Sequence, residues 1–253
     1  MPRRSLISLT RSMSKKRNEK RVAEEYLKKD GTAEIAAFTE RRQTMSQFIA
    51  YVQENWRDLI GLTLDHIQMV AAGLILALLV GIPLGVLASR SRRLAPVILT
   101  VANIIQVIPS LALLAMLMIV FGLGFRTVVI GLFLYSLLPV IRNTYVGLTQ
   151  VNPAVTEAGR GVGMSPLQLL WMVRLPLSLP FILTGIRVAA VIAIGVATIA
   201  PLVGGNGLGR EVYSGITMDN PARIYAGAIP AAALAILADL LFARLQRRTQ
   251  VKS

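Results

Sequence analysis

The sequence predicts an all-α integral membrane protein with five transmembrane helices, on three observations. Hydrophobic residues fill 54% of its 253 positions and charged residues only 16%, with a mean hydropathy of +0.61, unlike a water-soluble globule. Five stretches are long and apolar enough to cross a hydrocarbon core, which takes ~20 residues of helix. Basic residues outnumber acidic ones 27 to 13 and gather beside those stretches, as at membrane boundaries, without the interleaved aromatics of a nucleic-acid surface. The chain has no cysteine and one histidine, His66, which excludes disulfides, thiolate nucleophiles and metal centres built from Cys or His.

Residues 1–45 hold twelve basic and six acidic residues and no long apolar run, so they are expected to form a disordered basic tail that contributes no span. Met45 is a candidate second translation start. Over 46–65, Phe48, Ile49, Val52, Trp56, Leu59 and Ile60 recur at helical spacing among polar residues, which predicts an amphipathic helix at the membrane surface. The membrane-spanning domain is expected over 66–245, followed by a short cytoplasmic tail, 246–253.

The first span is expected at 67–88, ending on Ser89-Arg90-Ser91-Arg92-Arg93, with His66 an interfacial residue at its edge. The second, 94–121, contains Pro109, whose missing N–H leaves a carbonyl one turn earlier without its helical donor and kinks the helix. The glycines around Leu123 turn the chain into the third span, 127–147, where Arg142 is near enough to the end to snorkel. The fourth, 179–203, is separated from the fifth, 225–242, by a turn, Gly204-Gly205-Asn206-Gly207-Leu208-Gly209. Arg187 and Asp239 lie inside the last two spans, where a lone charge is costly, so they are expected to pair with each other or snorkel.

Arg90, Arg92, Arg93, Arg160, Arg174, Arg244, Arg247, Arg248 and Lys252 flank one set of span ends, against Arg57, Arg126, Arg210 and Arg223 at the other. The first set is therefore expected in the cytoplasm, with the C-terminus. Five spans then put the N-terminus outside despite its basic tail, which lies too far from the first span for the charge rule to act strongly.

The longest predicted cytoplasmic connection joins the third and fourth spans. Asn152 before Pro153 and Ser165 before Pro166 each offer a cap followed by proline at the first helical position, and Gly163 can end the first helix. Two short helices at an angle are expected. Leu167, Leu170 and Trp171 form an apolar stripe on the second, which by pattern alone equally suits a helix lying on the membrane. Glu157-Ala158, then Gly163, then Val173-Arg174-Leu175-Pro176 resembles the Glu-Ala-Ala, Gly, Ile-x-Leu-Pro motif in the cytoplasmic loop of importer-type ABC permeases. Gly159 replaces the usual alanine and Val173 the usual isoleucine.

The resemblance extends through Asn103-Ile104-Ile105-Gln106-Val107-Ile108-Pro109-Ser110, through residues 134–145, and through the glycine loop, where the chain is similar to the osmoprotectant branch of these permeases. It covers about residues 45–244. It implies the importer-type ABC permease fold in a bacterial inner membrane and import of glycine betaine, choline, carnitine or similar amines. It also implies a second permease chain, identical or different, two ABC ATPase subunits and an external substrate-binding protein. Glu157, Ala158, Gly163, Leu167, Leu170, Leu175 and Pro176 would form the ATPase-coupling loop.

No Gly-x-x-x-x-Gly-Lys-Ser/Thr occurs, so ATP and Mg are expected on the partner ATPase, and this chain is expected to be no enzyme. Asn103 and Gln106, three apart beside Pro109 and Ser110, are candidates for the translocation path; interhelical hydrogen bonding is the alternative. A methionine-type amino-acid permease is the nearest other member of the family. An ATP-independent channel or carrier is the reading from another class.

Overall fold

The computed structural model describes residues 44–249 in full and, for 3–43, the helical backbone alone. The chain divides into two units, Met1–Ala50 and Tyr51–Ser253, and all that follows on packing concerns the second. Helix α1 is Arg3–Arg90, so the backbone is helical where a disordered tail was expected. Ala, Glu and Lys, strong intrinsic helix formers, are frequent over 19–43, and the absence of a hydrophobic stripe does not prevent a helix. The side chains of that tail lie outside the described residues.

The break expected between surface helix and first span also moves. Inside α1 the non-helical residue is Asn55, at φ −113° and ψ 17°, and from there helix runs unbroken to Arg90. Leu62, assigned by sequence to the surface helix, is buried in a cluster with Leu208 and Ala231. His66, at the edge of the expected first span, is fully buried within the protein, with Nε2 3.2 Å from the Ile194 carbonyl and Nδ1 unpartnered.

Helices α2 (Leu94–Val107) and α3 (Ser110–Phe121) meet at 96°, so Pro109 does more than kink a span. The Tyr135 hydroxyl donates to the Ile108 carbonyl at the bend, satisfying one acceptor that the break removes from the helical ladder. Helix α4 (Phe125–Thr149) is the most enclosed span, 67% buried over its apolar window. It lies against α7 (Leu175–Ala197), and α7 in turn against α9 (Pro221–Thr249). Helix α9 continues beyond residue 246, where a tail was expected; 250–253 lie outside the described residues. Among the described residues, four helices are long and apolar enough to cross a membrane, and the bent α2–α3 pair makes a fifth crossing if it counts as one.

Close approach of α1 to α4 uses small residues. A Cβ on Gly73, Gly81 or Gly85 would come within 2.8 Å of Leu132, Val140 or Thr144 respectively, and Ala77 on the same stripe is fully buried. Between α7 and α9, Arg187 and Asp239 form a bidentate ion pair, the arrangement expected for two charges that would each be costly alone.

The expected turn between the last two spans is richer than a turn. A 3-10 helix at Ala200–Val203 and left-handed Gly204 lead into a short helix, α8 (Gly209–Thr217), which packs on α9. Glycine content masked this helix in the sequence, although Val212 and Ile216 lie four apart on it.

Candidate functional site: the α4–α7 connection and the α2–α3 bend

The α4–α7 connection begins as the sequence indicates. The Asn152 side chain accepts from the Ala154 N–H at 2.9 Å, with Pro153 opening α5 (Pro153–Gly161). Ser165 opens α6 (Pro166–Leu169) with a reciprocal capping box: the Ser165 N–H donates to Gln168 Oε1 at 2.8 Å, and the Gln168 N–H to Ser165 Oγ at 3.3 Å. Between them Gly163 adopts φ +83°, a conformation that L side chains disfavour. Its N–H donates to the Arg160 carbonyl at 2.9 Å, and that of Met164 to the Gly159 carbonyl at 3.1 Å, closing the end of α5.

The second helix differs from expectation. After four residues α6 passes into a π-helical turn, Leu170–Arg174, which runs directly into α7. A π turn takes more residues per revolution than the 3.6 assumed for an α-helix, so the stripe predicted from Leu167, Leu170 and Trp171 is re-aimed. Leu169 and Leu170 are buried, while Leu167 is 59% and Trp171 64% exposed.

Leu169 also accounts for Gly159. A Cβ at Gly159 would lie 2.6 Å from Leu169 Cδ1, so the glycine in the motif's usual alanine position admits this side chain between α5 and α6. Glu157 and Ala158 are exposed, as docking residues would be. Glu157 lies beyond the first turn of α5, so the helix dipole gives its carboxylate little support. Leu175 and Pro176 begin α7, and Arg174 donates to the Leu148 carbonyl at 2.9 Å, tying the end of the connection to the last turn of α4.

The path candidates are only partly brought together. Asn103 is exposed and lines a cavity of about 280 Å³ with Pro96, Leu99, Thr100, Leu138 and Arg142. Gln106 is half-buried on α2 outside that lining, and Pro109 and Ser110 sit at the bend. Arg142, exposed near the end of α4, also lines this cavity. Tyr135, within a stretch that carries the family resemblance, is not among the residues that the sequence motif marks as functional. Its signal was a hydroxyl-bearing aromatic in the middle of an apolar span.

Sequence reasoning missed a second polar centre where α1, α8 and α9 meet. Glu211 is 5% exposed and accepts from the Tyr51 hydroxyl at 2.5 Å, from Arg223 Nε at 2.9 Å and from an Arg223 terminal nitrogen at 3.2 Å. Burial alone would push the Glu211 carboxyl up. Hydrogen bonds from Arg223 and Tyr51, with the Arg223 charge, more than offset this and hold it below the ordinary range.

Because the folded state favours ionised Glu211, its stabilisation is complete above the ordinary pKa of 4.5 and disappears as pH falls through the depressed folded value. Glu211→Gln should therefore cost about 2 kcal/mol at pH 7, roughly 4–8 °C in melting temperature. The difference from wild type should narrow below pH 4.5. Thermal melts of the two detergent-purified chains across pH would show it; a gap independent of pH would contradict this role for the charge.

Comparison with known proteins fits this geometry. Residues 77–251 match the model of the binding-protein-dependent transport system inner membrane component family. The chain belongs to that family. It is 48% identical over 205 residues to the carnitine transport permease protein OpuCD of Listeria monocytogenes, covering 81% of this chain and 92% of that protein. It is 46% identical over 204 residues to the choline transport system permease protein OpuBD of Bacillus subtilis, covering 80% and 90%. Among solved structures, an inward-facing form of the MetNI methionine ABC transporter matches with a TM-score of 0.70 at 21% identity, over 76% of this chain and 96% of that one. At that identity the likeness establishes a shared fold and leaves the solute open. The chain is thus a multi-pass permease component of an ABC importer in the inner membrane, with the fold that the loop motif implied.

Proposed function

We propose that this permease carries quaternary-amine osmoprotectants such as glycine betaine, choline or carnitine inward at the expense of ATP hydrolysed on separate subunits. The similarity to permeases named for carnitine and choline transport, extending over nine-tenths of their length, carries this reading. The working assembly is two permease chains, identical or different, two ATPase subunits holding ATP and Mg, and an external binding protein. Its C-terminus and the α4–α7 connection face the cytoplasm, and the N-terminus faces outside.

Glu157, Ala158 and the exposed apolar side chain of Leu167 offer the ATPase a docking surface, while Gly163, Leu170, Leu175 and Pro176 fix its aim on α7. The cavity beside Asn103, along the first half of α2 and so toward the proposed cytoplasmic side, is where the translocation path is proposed to end. Vesicles containing the assembled transporter would decide the solute. ATP-dependent uptake of labelled amines is expected. Preferential methionine uptake would overturn the substrate assignment, and uptake without ATPase subunits would overturn the coupling. On the same vesicles, Gln106→Leu removes a donor and an acceptor at nearly constant size, so uptake should slow several-fold with assembly intact. Wild-type kinetics would return Gln106 to a purely structural role.

A further inference from the structure

The end of α1, the π turn and the start of α7 enclose an open groove of about 840 Å³, within the ~300–1,000 Å³ occupied by small-molecule sites. Its walls are apolar, including Val86, Leu87, Leu170, Trp171 and Leu179, and Trp171 presents most of its ring to the outside. The one charged residue lining it is Arg90, which ends α1 and is exposed.

Arg90 does not stand alone. Its charge and that of Arg160 both act on Arg174, in the π turn that forms one wall. Among the described residues the ion pairs are Arg187 with Asp239 and Arg223 with Glu211, so none of these three arginines has a carboxylate partner. Arg174 is held by its bond to the Leu148 carbonyl, which positions the guanidinium without neutralising it.

An apolar trough lined at the end of a membrane span by the unpaired guanidinium of Arg90 requires an occupant that is anionic at one end and hydrocarbon along the rest. A protein segment would have to supply a carboxylate beside an apolar ridge. An anionic phospholipid brings both in one molecule already present at that depth, and the planar fork of arginine suits phosphate. We propose that this groove binds one anionic phospholipid, an acyl chain lying along Val86, Leu87, Leu170 and Trp171 with the phosphate at Arg90. Because the groove wall is also the exit of the α4–α7 connection, the bound lipid braces that connection from the membrane side. This site is independent of which solute is carried.

The two tryptophans allow a direct test. In the full chain carrying Trp56→Phe, Trp171 is the sole indole. The chain is placed in mixed phosphatidylcholine and phosphatidylglycerol vesicles, with brominated acyl chains on one lipid or the other at equal mole fraction. Brominated phosphatidylglycerol is expected to quench Trp171 at least threefold more strongly than brominated phosphatidylcholine. Arg90→Gln should remove most of that preference, Arg90→Lys should keep it, and Arg247→Gln, at the end of α9, should leave it unchanged. Equal quenching by the two lipids would overturn the proposal. So would a preference lost equally with Arg247→Gln, which would mean general surface attraction, or no quenching by either lipid, which would mean that protein fills the groove.

Discussion

Gly209→Ala is expected to prevent the chain from reaching a stable folded form, the largest structural effect foreseen for a single methyl group here. A Cβ at this position would lie 1.9 Å from the Thr198 carbonyl oxygen, 2.6 Å from its carbon and 2.9 Å from Thr198 Cα. These are backbone atoms at the end of α7, so no side chain can rotate away. Relief requires moving the whole start of α8. That start is pinned from several directions: the Arg210 N–H donates to the Gly207 carbonyl at 2.9 Å, Leu208 is fully buried, and Asn206 donates to Asp65 of α1 at 2.5 Å. Overpacking a core by a methylene costs ~1–3 kcal/mol where neighbours can adjust, and the cost here should exceed that. The control is Gly61→Ala, inside α1 with nothing within 4 Å, where alanine should be neutral or mildly favourable to the helix. Size-exclusion profiles of the two variants after mild solubilisation would check it: a lost or aggregated peak for Gly209→Ala beside a normal one for Gly61→Ala. Matching wild-type profiles for both would refute the packing argument.

The contrast between these two glycines shows what the sequence made legible. Chemistry that is local or obligatory could be read directly. The Asn152 and Ser165 caps are set by residues within three positions, Pro109 cannot donate to its helix, and Arg187 and Asp239 have few alternatives to each other at membrane depth. What escaped depends on long-range contact. Tyr51 and Glu211 are 160 residues apart, and nothing near either announces the other. Gly73, Gly81 and Gly85 acquire meaning only when α4 lies against them. His66, next to polar Asp65 at the start of an apolar run, resembles a boundary residue until α7 and the Gly207 turn cover it.

At the candidate site the failure was one of period. The caps fixed where α6 begins, but the stripe of Leu167, Leu170 and Trp171 assumed α-helical geometry through a segment that adopts a π turn. That turn buries Leu169 and Leu170 side by side and leaves Leu167 and Trp171 outside, dividing one expected stripe between an inner anchor and an outer surface. Gly159, which looked like a mild departure from the family motif, is the complement of the Leu169 anchor.

Gly163 gives the sharpest functional test, because its surroundings separate backbone strain from crowding. A Cβ there would meet nothing within 4 Å, yet φ is +83°, so a substitution acts almost wholly through the backbone. Holding an L-residue in this region costs ~1–2 kcal/mol, and more when it is β-branched. The effects should therefore follow tolerance of positive φ rather than size: Gly163→Asn mild, Gly163→Ala intermediate, Gly163→Val severe. About 1.4 kcal/mol is a tenfold change in an equilibrium, so valine should leave the loop correctly aimed in a tenth of molecules or fewer. The turn closes α5 by the Gly163 and Met164 N–H bonds, and losing it would release Leu169 from Gly159 and swing Glu157 and Ala158 away from the ATPase. Spans α4 and α7 pack through contacts remote from this turn, so Gly163→Val should reach the membrane at normal levels and then either lose its ATPase or hydrolyse ATP without moving solute. Co-purification, ATP hydrolysis and uptake on one reconstituted preparation would read this out. Wild-type values for all three in the valine variant would remove the coupling role from the loop, and an order following side-chain volume would assign the effect to crowding against a partner.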